Sequence, residues 1–233
     1  MDAALQGILV VDKPLGMTSM RAVERVRRAL GGAKAGHAGT LDPLATGVLL
    51  VAIGRATKQI PFLMGLEKRY DTAIDLSATT ATLDAEGERV PAVLDGPPPS
   101  RDQVLRALEG FRGAFQQAPP AFSAVKIQGR RAYDLARKGE AVEPTSRQVT
   151  VHELHLVDYA WPVATLSIRC AKGFYVRSLA RDLALALGTL GHCLSIRRTA
   201  IGPYDLSMAM PLKDDPQGLE RAIRPFAPPA DSP

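Results

Sequence analysis

Residues 36–47 read Gly36-His37-Ala38-Gly39-Thr40-Leu41-Asp42-Pro43-Leu44-Ala45-Thr46-Gly47 and place one carboxylate, that of Asp42, among glycines and small residues. The apolar run at residues 48–53 follows at once and predicts a buried strand. Glycine allows backbone conformations and close approaches that other residues do not, so this setting favours a positioned functional acid. A turn-forming aspartate before Pro43 is equally compatible with this stretch taken alone. His37 lies close enough in the chain to contact the same ligand.

Composition narrows the class of protein. The chain has 233 residues with 46% hydrophobic content, enough for one large domain. Its net charge of +5 fits a polyanionic partner but is also typical of an ordinary basic protein. Cys170 and Cys193 form neither a disulfide framework nor a metal-type cluster, so we expect a reducing, cytoplasmic location. Neither a signal peptide nor a membrane-spanning run of ~20 apolar residues is visible.

Local patterns predict strands interspersed with helices. The predicted strands cover residues 7–12, 48–53, 68–76, 149–151, 164–170 and 195–201, and the predicted helices cover 19–30, 100–111, 132–138 and 176–187. Thr18 or Ser19 can cap the first helix, and Ser100 with Gln103 forms a capping box for the second. Many strands follow strands directly, which indicates an α+β fold. From Pro211 the periodic signal fades, and we expect the proline-rich residues 225–233 to fray.

Two further residues bear on the role of Asp42. Tyr70 lies in a predicted strand, where it is either a half-buried core residue or a ring that stacks on a base. Arg177 lies in the first turn of a predicted helix, where a cation opposes the helix dipole by ~0.3–1 kcal/mol. A carboxylate partner would explain this placement, and Asp42 is a candidate. A surface arginine is the alternative.

A proline-stiffened loop carries cations and aromatic residues together. It begins at Pro119-Pro120 and contains Phe122, Lys126, Arg130, Arg131 and Tyr133. Cations bind phosphates and aromatic rings stack on bases, so this mixture favours contact with RNA or DNA over a merely solvated loop. No phosphate-binding loop, dinucleotide fingerprint or serine nucleophile motif is found in the sequence.

Several motifs occur in a fixed order along the chain. They are Val11-Asp12-Lys13-Pro14 with Gly16-Met17-Thr18-Ser19, His37-Ala38-Gly39-Thr40-Leu41-Asp42-Pro43, Gly54-Arg55-Ala56-Thr57-Lys58, Lys68-Arg69-Tyr70, the loop at 119–126, Lys172-Gly173-Phe174-Tyr175-Val176-Arg177, and Arg197-Arg198. In this order they resemble the TruB-type tRNA pseudouridine synthases, from about residue 7 to residue 204. Each motif alone is of limited specificity, whereas the ordered set is specific.

The resemblance implies a pseudouridine-synthase fold with a central, mostly antiparallel or mixed sheet flanked by helices and loops. It implies conversion of uridine to pseudouridine at position 55 in the T-arm of tRNA, without cofactor or metal. The C1′–N1 bond must break, the uracil must rotate, and a bond to C5 must form. An ionised carboxylate can start this by attacking C6 of the ring or C1′ of the sugar, or by promoting elimination to a glycal.

The resemblance also assigns roles to residues. Asp42 corresponds to the catalytic nucleophile, Tyr70 to the tyrosine that stacks on the flipped uracil and helps to remove the C5 proton, and Arg177 to the arginine paired with the aspartate. Substrate contacts are expected at His37, Tyr175 and Ile196, and a supporting role in the active-site loop at Lys13. RNA contacts are expected from the insertion, at Lys126, Arg130, Arg131 and Tyr133.

The same resemblance predicts the domain organisation. We expect a catalytic domain at residues 1–210, with an RNA-binding insertion at about 115–140, and a short tail at 211–233. Only about thirty residues follow Tyr204, too few for the PUA-type RNA-binding domain common in bacterial members, so we expect a short form or a truncation. The segment at 80–87 departs from the family at Ala81, where an aspartate is usual, whereas Asp84 and Gly87 match.

Three alternatives remain at this point. A non-catalytic RNA-binding protein on the same fold is disfavoured because Asp42, Tyr70 and Arg177 are all present. An aspartate-nucleophile hydrolase lacks a second acid or a metal cluster near Asp42. An isomerase that uses guide partners would carry extra domains. We therefore expect an enzyme that binds the tRNA T-arm as a monomer, with no obligate protein partner and no membrane association.

Overall fold

The computed structural model describes residues 5–122, 126–127, 130–131, 145–212 and 215–226. The strands are β1 (Gly7–Lys13), β2 (Ala35–His37), β3 (Ala45–Ile53), β4 (Lys68–Asp75), β5 (Ala78–Thr79), β6 (Val90–Pro91), β7 (Gly113–Gln117), β8 (Lys126–Ile127), β9 (Arg130–Arg131), β10 (Arg147–Ala160), β11 (Val163–Cys170), β12 (His192–Ile201), β13 (Tyr204–Asp205) and β14 (Met210–Pro211). The helices are α1 (Ser19–Ala29), α2 (Ile60–Gly65), α3 (Arg101–Glu109), α4 (Val176–Ala186) and α5 (Pro216–Ala222), and a 3₁₀ turn covers Gly54–Gln59.

The chain divides into two units, of which the first comprises residues 1–68 and 197–233. Its sheet has the order β14-β1-β3, and β2 pairs with the opposite edge of β3, from Ala35 opposite Ile53 to His37 opposite Val51. β1 is antiparallel to β3 over the whole length of β1, from Gly7 opposite Ile53 to Lys13 opposite Gly47, whereas β14 is parallel to β1. The sheet is therefore mixed, as expected. The core is a cluster that includes Ile8, Val10, Val48, Leu50 and Leu63.

Helix α1 begins where the sequence predicts. The Thr18 hydroxyl accepts a hydrogen bond from the Arg21 amide at 3.2 Å, so it caps the free N–H groups of the first turn. Ala22, Val23 and Val26 lie on the buried face. The helix places Ser19 at its start, and this residue reaches the loop that carries Asp42.

The C-terminal segment is more ordered than the fading sequence pattern predicts. β14 pairs with β1, and Ile8 forms a two-way backbone bridge with Arg224, with both N···O distances at 2.9 Å. Helix α5 is capped by Asp215, and its Leu219 is fully buried. The sequence pattern does not predict the helix at residues 216–222, because a seven-residue helix with one buried leucine is too short to show a periodic pattern. The fraying predicted for residues 225–233 concerns a segment of which residues 227–233 lie outside the described part of the chain.

The second unit comprises residues 69–196. Its sheet has the order β12-β4-β11-β10-β7, in which residues 192–196 of β12 belong to this unit, and β10 is antiparallel to both β11 and β7. The predicted capping box is present at the start of α3, where Ser100 and Gln103 exchange side-chain and backbone hydrogen bonds. Helix α4 buries Leu179 and Leu183, in agreement with the predicted helical face. The predicted helix at 132–138 lies outside the described residues.

Candidate active site

Asp42 lies in the first unit, in the loop between β2 and β3, and is half-buried. The residue before it is fixed by Ser19, whose hydroxyl accepts a hydrogen bond from the Leu41 amide at 2.8 Å and donates one to the Leu41 carbonyl at 3.0 Å. The Ala45 amide donates to the Asp42 carbonyl at 3.0 Å and closes the turn. The backbone of Asp42 is thus held on both sides, which orients its carboxylate.

Lys13 supports the other side of this loop. Its side chain is fully buried, and its ammonium donates to the carbonyls of Met17 at 2.6 Å, Pro14 at 3.0 Å and Pro43 at 3.4 Å. The Gly16 amide donates to the same Pro43 carbonyl at 2.9 Å. A buried ammonium is stable only when its donors are satisfied, and here all three acceptors are backbone groups. This burial favours the supporting role over direct contact with substrate.

Arg198 lies beneath the Asp42 loop and is 1% exposed. Its guanidinium donates to the carbonyls of Val48 at 2.7 Å, Gly39 at 3.1 Å and Thr40 at 3.4 Å. Gly47, at φ +95°, lies against the strand that carries this arginine, and a Cβ there would come within 2.2 Å of the Arg198 carbonyl oxygen. The glycine of the quoted stretch therefore allows a close backbone approach, as its sequence suggests.

His37 ends β2 and is half-buried. Burial and, secondarily, the positive charge of Arg198 lower its pKa below the ordinary value for histidine. Its Nδ1 atom is buried and makes no hydrogen bond with any residue that the structure describes. The lowered pKa favours the neutral form of the ring at pH 7.

Arg177 lies in the second unit, in the first turn of α4, and is 4% exposed. Its guanidinium donates to the carbonyls of Thr82 at 2.8 Å and Phe122 at 2.9 Å. The carboxylate of Asp84 lies 3.6 Å from Nη1. A carboxylate partner thus offsets the unfavourable dipole position, as the sequence argument requires. The pairing of Arg177 with Asp42 stays a prediction.

Asp84 is the site residue that the sequence argument did not connect to Arg177. It is 2% exposed, and its Oδ1 accepts hydrogen bonds from the Thr82 hydroxyl at 2.5 Å and the Glu86 amide at 3.1 Å. The sequence contained an indication of its role, since Asp84 matches the family pattern in the segment where Ala81 departs from that pattern. Ala81 is exposed, so the departure leaves the Asp84 contacts in place.

The other predicted residues of the second unit differ in exposure. Tyr70 is half-buried on β4, and Tyr175 is half-buried at the N-terminus of α4. Ile196, on β12, is only 5% exposed. The backbones of Lys126, Arg130 and Arg131 belong to the paired strands β8 and β9. The side chains of these three residues, and Tyr133 altogether, lie outside the described part of the chain.

Lys68, next to Arg69 and Tyr70 in sequence, belongs to the first unit and is 7% exposed. Its ammonium donates to the carbonyls of Met64 and Leu66, both at 2.6 Å. Its charge is therefore directed at the backbone of its own unit.

A basic cavity opens on the first unit, beside the 3₁₀ turn. It has a volume of about 500 Å³ and is lined by Leu5, Gln6, Lys34, Gly54, Arg55, Thr57 and Lys58. Within the described part of the chain, the three cations form no ion pair. The cavity therefore presents uncompensated positive charge, which is the electrostatic property that binds a phosphate backbone.

Comparison with known proteins decides the family. A family model described as the TruB family pseudouridylate synthase N-terminal domain matches residues 27–176. The chain belongs to the TruB family. The resemblance that the ordered motifs indicated is therefore confirmed, and the match includes both the Asp42 loop and Tyr70.

Curated relatives agree with this assignment. The chain is 49% identical over 213 residues to tRNA pseudouridine synthase B of Caulobacter vibrioides, covering 90% of this chain and 67% of the relative. It is 52% identical over 204 residues to the enzyme of the same name from a Ruegeria species, covering 86% of this chain and 66% of the relative. The chain thus spans about two thirds of the length of these TruB-family relatives.

Solved structures confirm the expected fold. The chain resembles a chain of a Cbf5–Nop10–Gar1 complex with a TM-score of 0.73 and 27% identity, covering 94% of this chain and 60% of that one. It resembles a chain of an H/ACA ribonucleoprotein bound to a substrate RNA containing 2′-deoxyuridine with a TM-score of 0.66 and 25% identity, covering 88% of this chain and 51% of that one.

Among the residues that the structure describes, no helix is both long and apolar enough to cross a membrane. No group of three or more histidine, cysteine, aspartate or glutamate side chains in that part of the chain is arranged to hold a metal ion.

Proposed function

We propose that this chain converts uridine to pseudouridine in tRNA, at position 55 of the T-arm. Its membership of the TruB family and its similarity to relatives named tRNA pseudouridine synthase B support the reaction and the substrate. The observation that carries the proposal is the Asp42 loop, in which three side chains from separate segments fix the backbone around a single carboxylate.

Asp42 acts as the nucleophile in this proposal. Its loop is preorganised, because Leu41, Pro43 and Gly39 are each hydrogen-bonded to a buried side chain. Such rigidity matters because a misplacement of about 1 Å in a reacting group can cost ~10²-fold in rate. An anchored carboxylate needs no reorganisation when the uridine arrives, which is the expected property of a residue that attacks one defined atom.

The reaction itself moves bonds within one nucleotide. Asp42 promotes cleavage of the C1′–N1 bond, the uracil rotates, and C5 bonds to C1′ while N1 gains a proton. The C5 proton must then leave, and we assign its removal to Tyr70. We assign His37, whose lowered pKa favours the neutral ring, to a contact with the extruded nucleotide. Extrusion costs a few kcal/mol, which these contacts must offset.

RNA affinity in this proposal comes from positive charge. The uncompensated cations Lys34, Arg55 and Lys58 line one cavity of the first unit. The insertion supplies Lys126, Arg130, Arg131 and Tyr133. Phosphate contacts of this kind position an RNA without reading its sequence, whereas the site around Asp42 selects the uridine.

Release of tritium from a tRNA transcript labelled at C5 of uridine tests the function directly. The wild-type chain should release one equivalent of label, and a matched transcript with cytidine at position 55 should release none. Asp42→Asn should abolish release while the dissociation constant for tRNA stays within about threefold, because it keeps the side-chain volume and removes only the charge. A wild-type chain that binds tRNA but releases no label would refute the enzymatic assignment.

We further propose that the chain acts alone, as a monomer, in the reducing cytoplasm. Cys170 and Cys193 are both buried and unlinked, which fits that compartment. Purified protein should therefore be active without guide RNA or added protein, and light scattering should give a mass near 24.9 kDa. Activity that requires a second component would contradict this part of the proposal.

A further inference from the structure

Arg147, the first residue of β10, lies over the ring of Tyr175. Its guanidinium carbon is 5.0 Å from the ring centroid, within the range of a cation–π contact. Its Nη2 atom donates a hydrogen bond to the Gly173 carbonyl at 2.7 Å. The guanidinium is therefore held in one orientation against the turn that leads into α4.

The platform under this arginine is itself rigid. Gln117, which is 1% exposed, donates from Nε2 to the Tyr175 carbonyl at 3.2 Å and accepts from the Tyr175 amide at 2.9 Å. Tyr175 is also the N-cap residue of α4. Both backbone groups of Tyr175 are thus bonded, so the ring and the arginine stacked on it are presented as a preformed surface.

Among the residues that the structure describes, most donors of Arg147 have no protein acceptor. A guanidinium has five N–H groups. In the described part of the chain, Arg147 makes one hydrogen bond and no ion pair, and its side chain is exposed. Lys172, on the other side of Gly173, is exposed as well. An aromatic ring with an oriented, unneutralised guanidinium beside it combines the two contacts that bind a nucleotide, one for the base or ribose and one for the phosphate.

We propose that Arg147 binds a phosphate diester of the substrate RNA, next to the nucleotide that Tyr175 contacts. The ligand follows from the proposed function, on which this inference rests. The planar fork of arginine matches two phosphate oxygens at once, and stacking on Tyr175 removes much of the conformational entropy that binding would otherwise cost. The contact is one of affinity and orientation, and the chemical step does not pass through it.

The salt dependence of tRNA binding tests this inference. Arg147→Met should raise the dissociation constant for tRNA about tenfold at low salt and reduce the slope of log Kd against log salt by about 0.7–0.9, the loss of one phosphate contact. Arg147→Lys should keep the slope and lose only part of the affinity, because it keeps the charge and loses the fork. Arg106→Met is the matched control, since Arg106 is an exposed arginine on α3, and it should change neither quantity.

Rate measurements separate this role from a structural one. At saturating tRNA, Arg147→Met should release tritium within about threefold of the wild-type rate, and its melting temperature should match that of Arg106→Met. An unchanged slope, or a lower saturated rate with unchanged binding, would overturn the inference while leaving the proposed function in place. A wild-type chain that binds no tRNA would overturn both.

Discussion

Replacement of Arg198 by methionine should destabilise the protein and disable the Asp42 loop. The change keeps the aliphatic stem and removes all donors from a side chain that is 1% exposed. Two short hydrogen bonds, to Val48 at 2.7 Å and to Gly39 at 3.1 Å, are lost, together with a longer one to Thr40 at 3.4 Å. Each lost hydrogen bond leaves a backbone carbonyl oxygen without its charged donor.

The magnitude follows from the two short bonds. A hydrogen bond with a charged donor contributes about 1.5–3 kcal/mol. Because the variant no longer has to bury a charge, which offsets part of the loss, the free energy of unfolding should fall by about 3–4 kcal/mol. For a chain of this size that corresponds to a drop in melting temperature of ~10 °C. Arg198→Lys retains the charge and one donor direction, and about half of this loss is expected.

Two assays decide the matter. Thermal unfolding gives the stability of each variant. The rate comes from tritium release by Arg198→Lys at saturating tRNA, measured below 25 °C, where we expect this variant to be folded. The rate of Arg198→Lys should fall ~10- to 100-fold through misplacement of Asp42, with its dissociation constant for tRNA within about threefold of the wild-type value. The control is Arg197→Met, which breaks a half-exposed ion pair with Asp12, at 2.9 Å, and should cost only ~1 kcal/mol or less. Equal stability losses for Arg197→Met and Arg198→Met would refute the reasoning.

Two further predictions concern charge. Asp84→Asn removes the carboxylate that lies 3.6 Å from Arg177, in a pair whose side chains are 5% and 3% exposed. The variant should lower the rate at saturating tRNA at least tenfold and the melting temperature by several degrees, because breaking a buried pair costs about 3–5 kcal/mol. An unchanged rate would show that Asp84 does not orient the arginine. For His37 the folded-state pKa lies below the unfolded value of 6.5, so the unfolded chain binds more protons and stability should fall as pH drops below that value. His37→Gln should reduce this loss between pH 7 and pH 5 in thermal unfolding, and an identical loss in the variant would contradict the assigned pKa direction.

Much of the local structure could be predicted from the chain. Thr18 and the Ser100–Gln103 capping box act through neighbours three residues away, so their hydrogen bonds depend on sequence alone. The strand at residues 48–53 was evident from continuous apolar composition. Helix α5 was missed because a seven-residue helix with one buried leucine has too few apolar positions to define a period.

Some residues of the candidate site could also be predicted from the sequence, whereas others could not. Asp42 and its glycines drew attention because an acid among small residues is an unusual local composition, and the ordered motifs supplied the family. The helix-end argument predicted a carboxylate near Arg177, and the structure supplies Asp84, which lies more than ninety positions earlier in the chain. No local rule connects residues at that separation.

The sequence by itself therefore determined the family, the helix caps, the main strands and the acid that we propose as the nucleophile. Only the tertiary structure decided what holds that acid in place. Lysine and arginine are rarely fully buried, so a sequence predicts that such residues lie on the surface. Lys13 and Arg198 instead lie inside the first unit and bond to backbone carbonyls. Every residue carries a backbone carbonyl, so side-chain identity cannot reveal which carbonyl groups these two side chains bind. Only the folded path of the chain determines which carbonyl groups lie within reach.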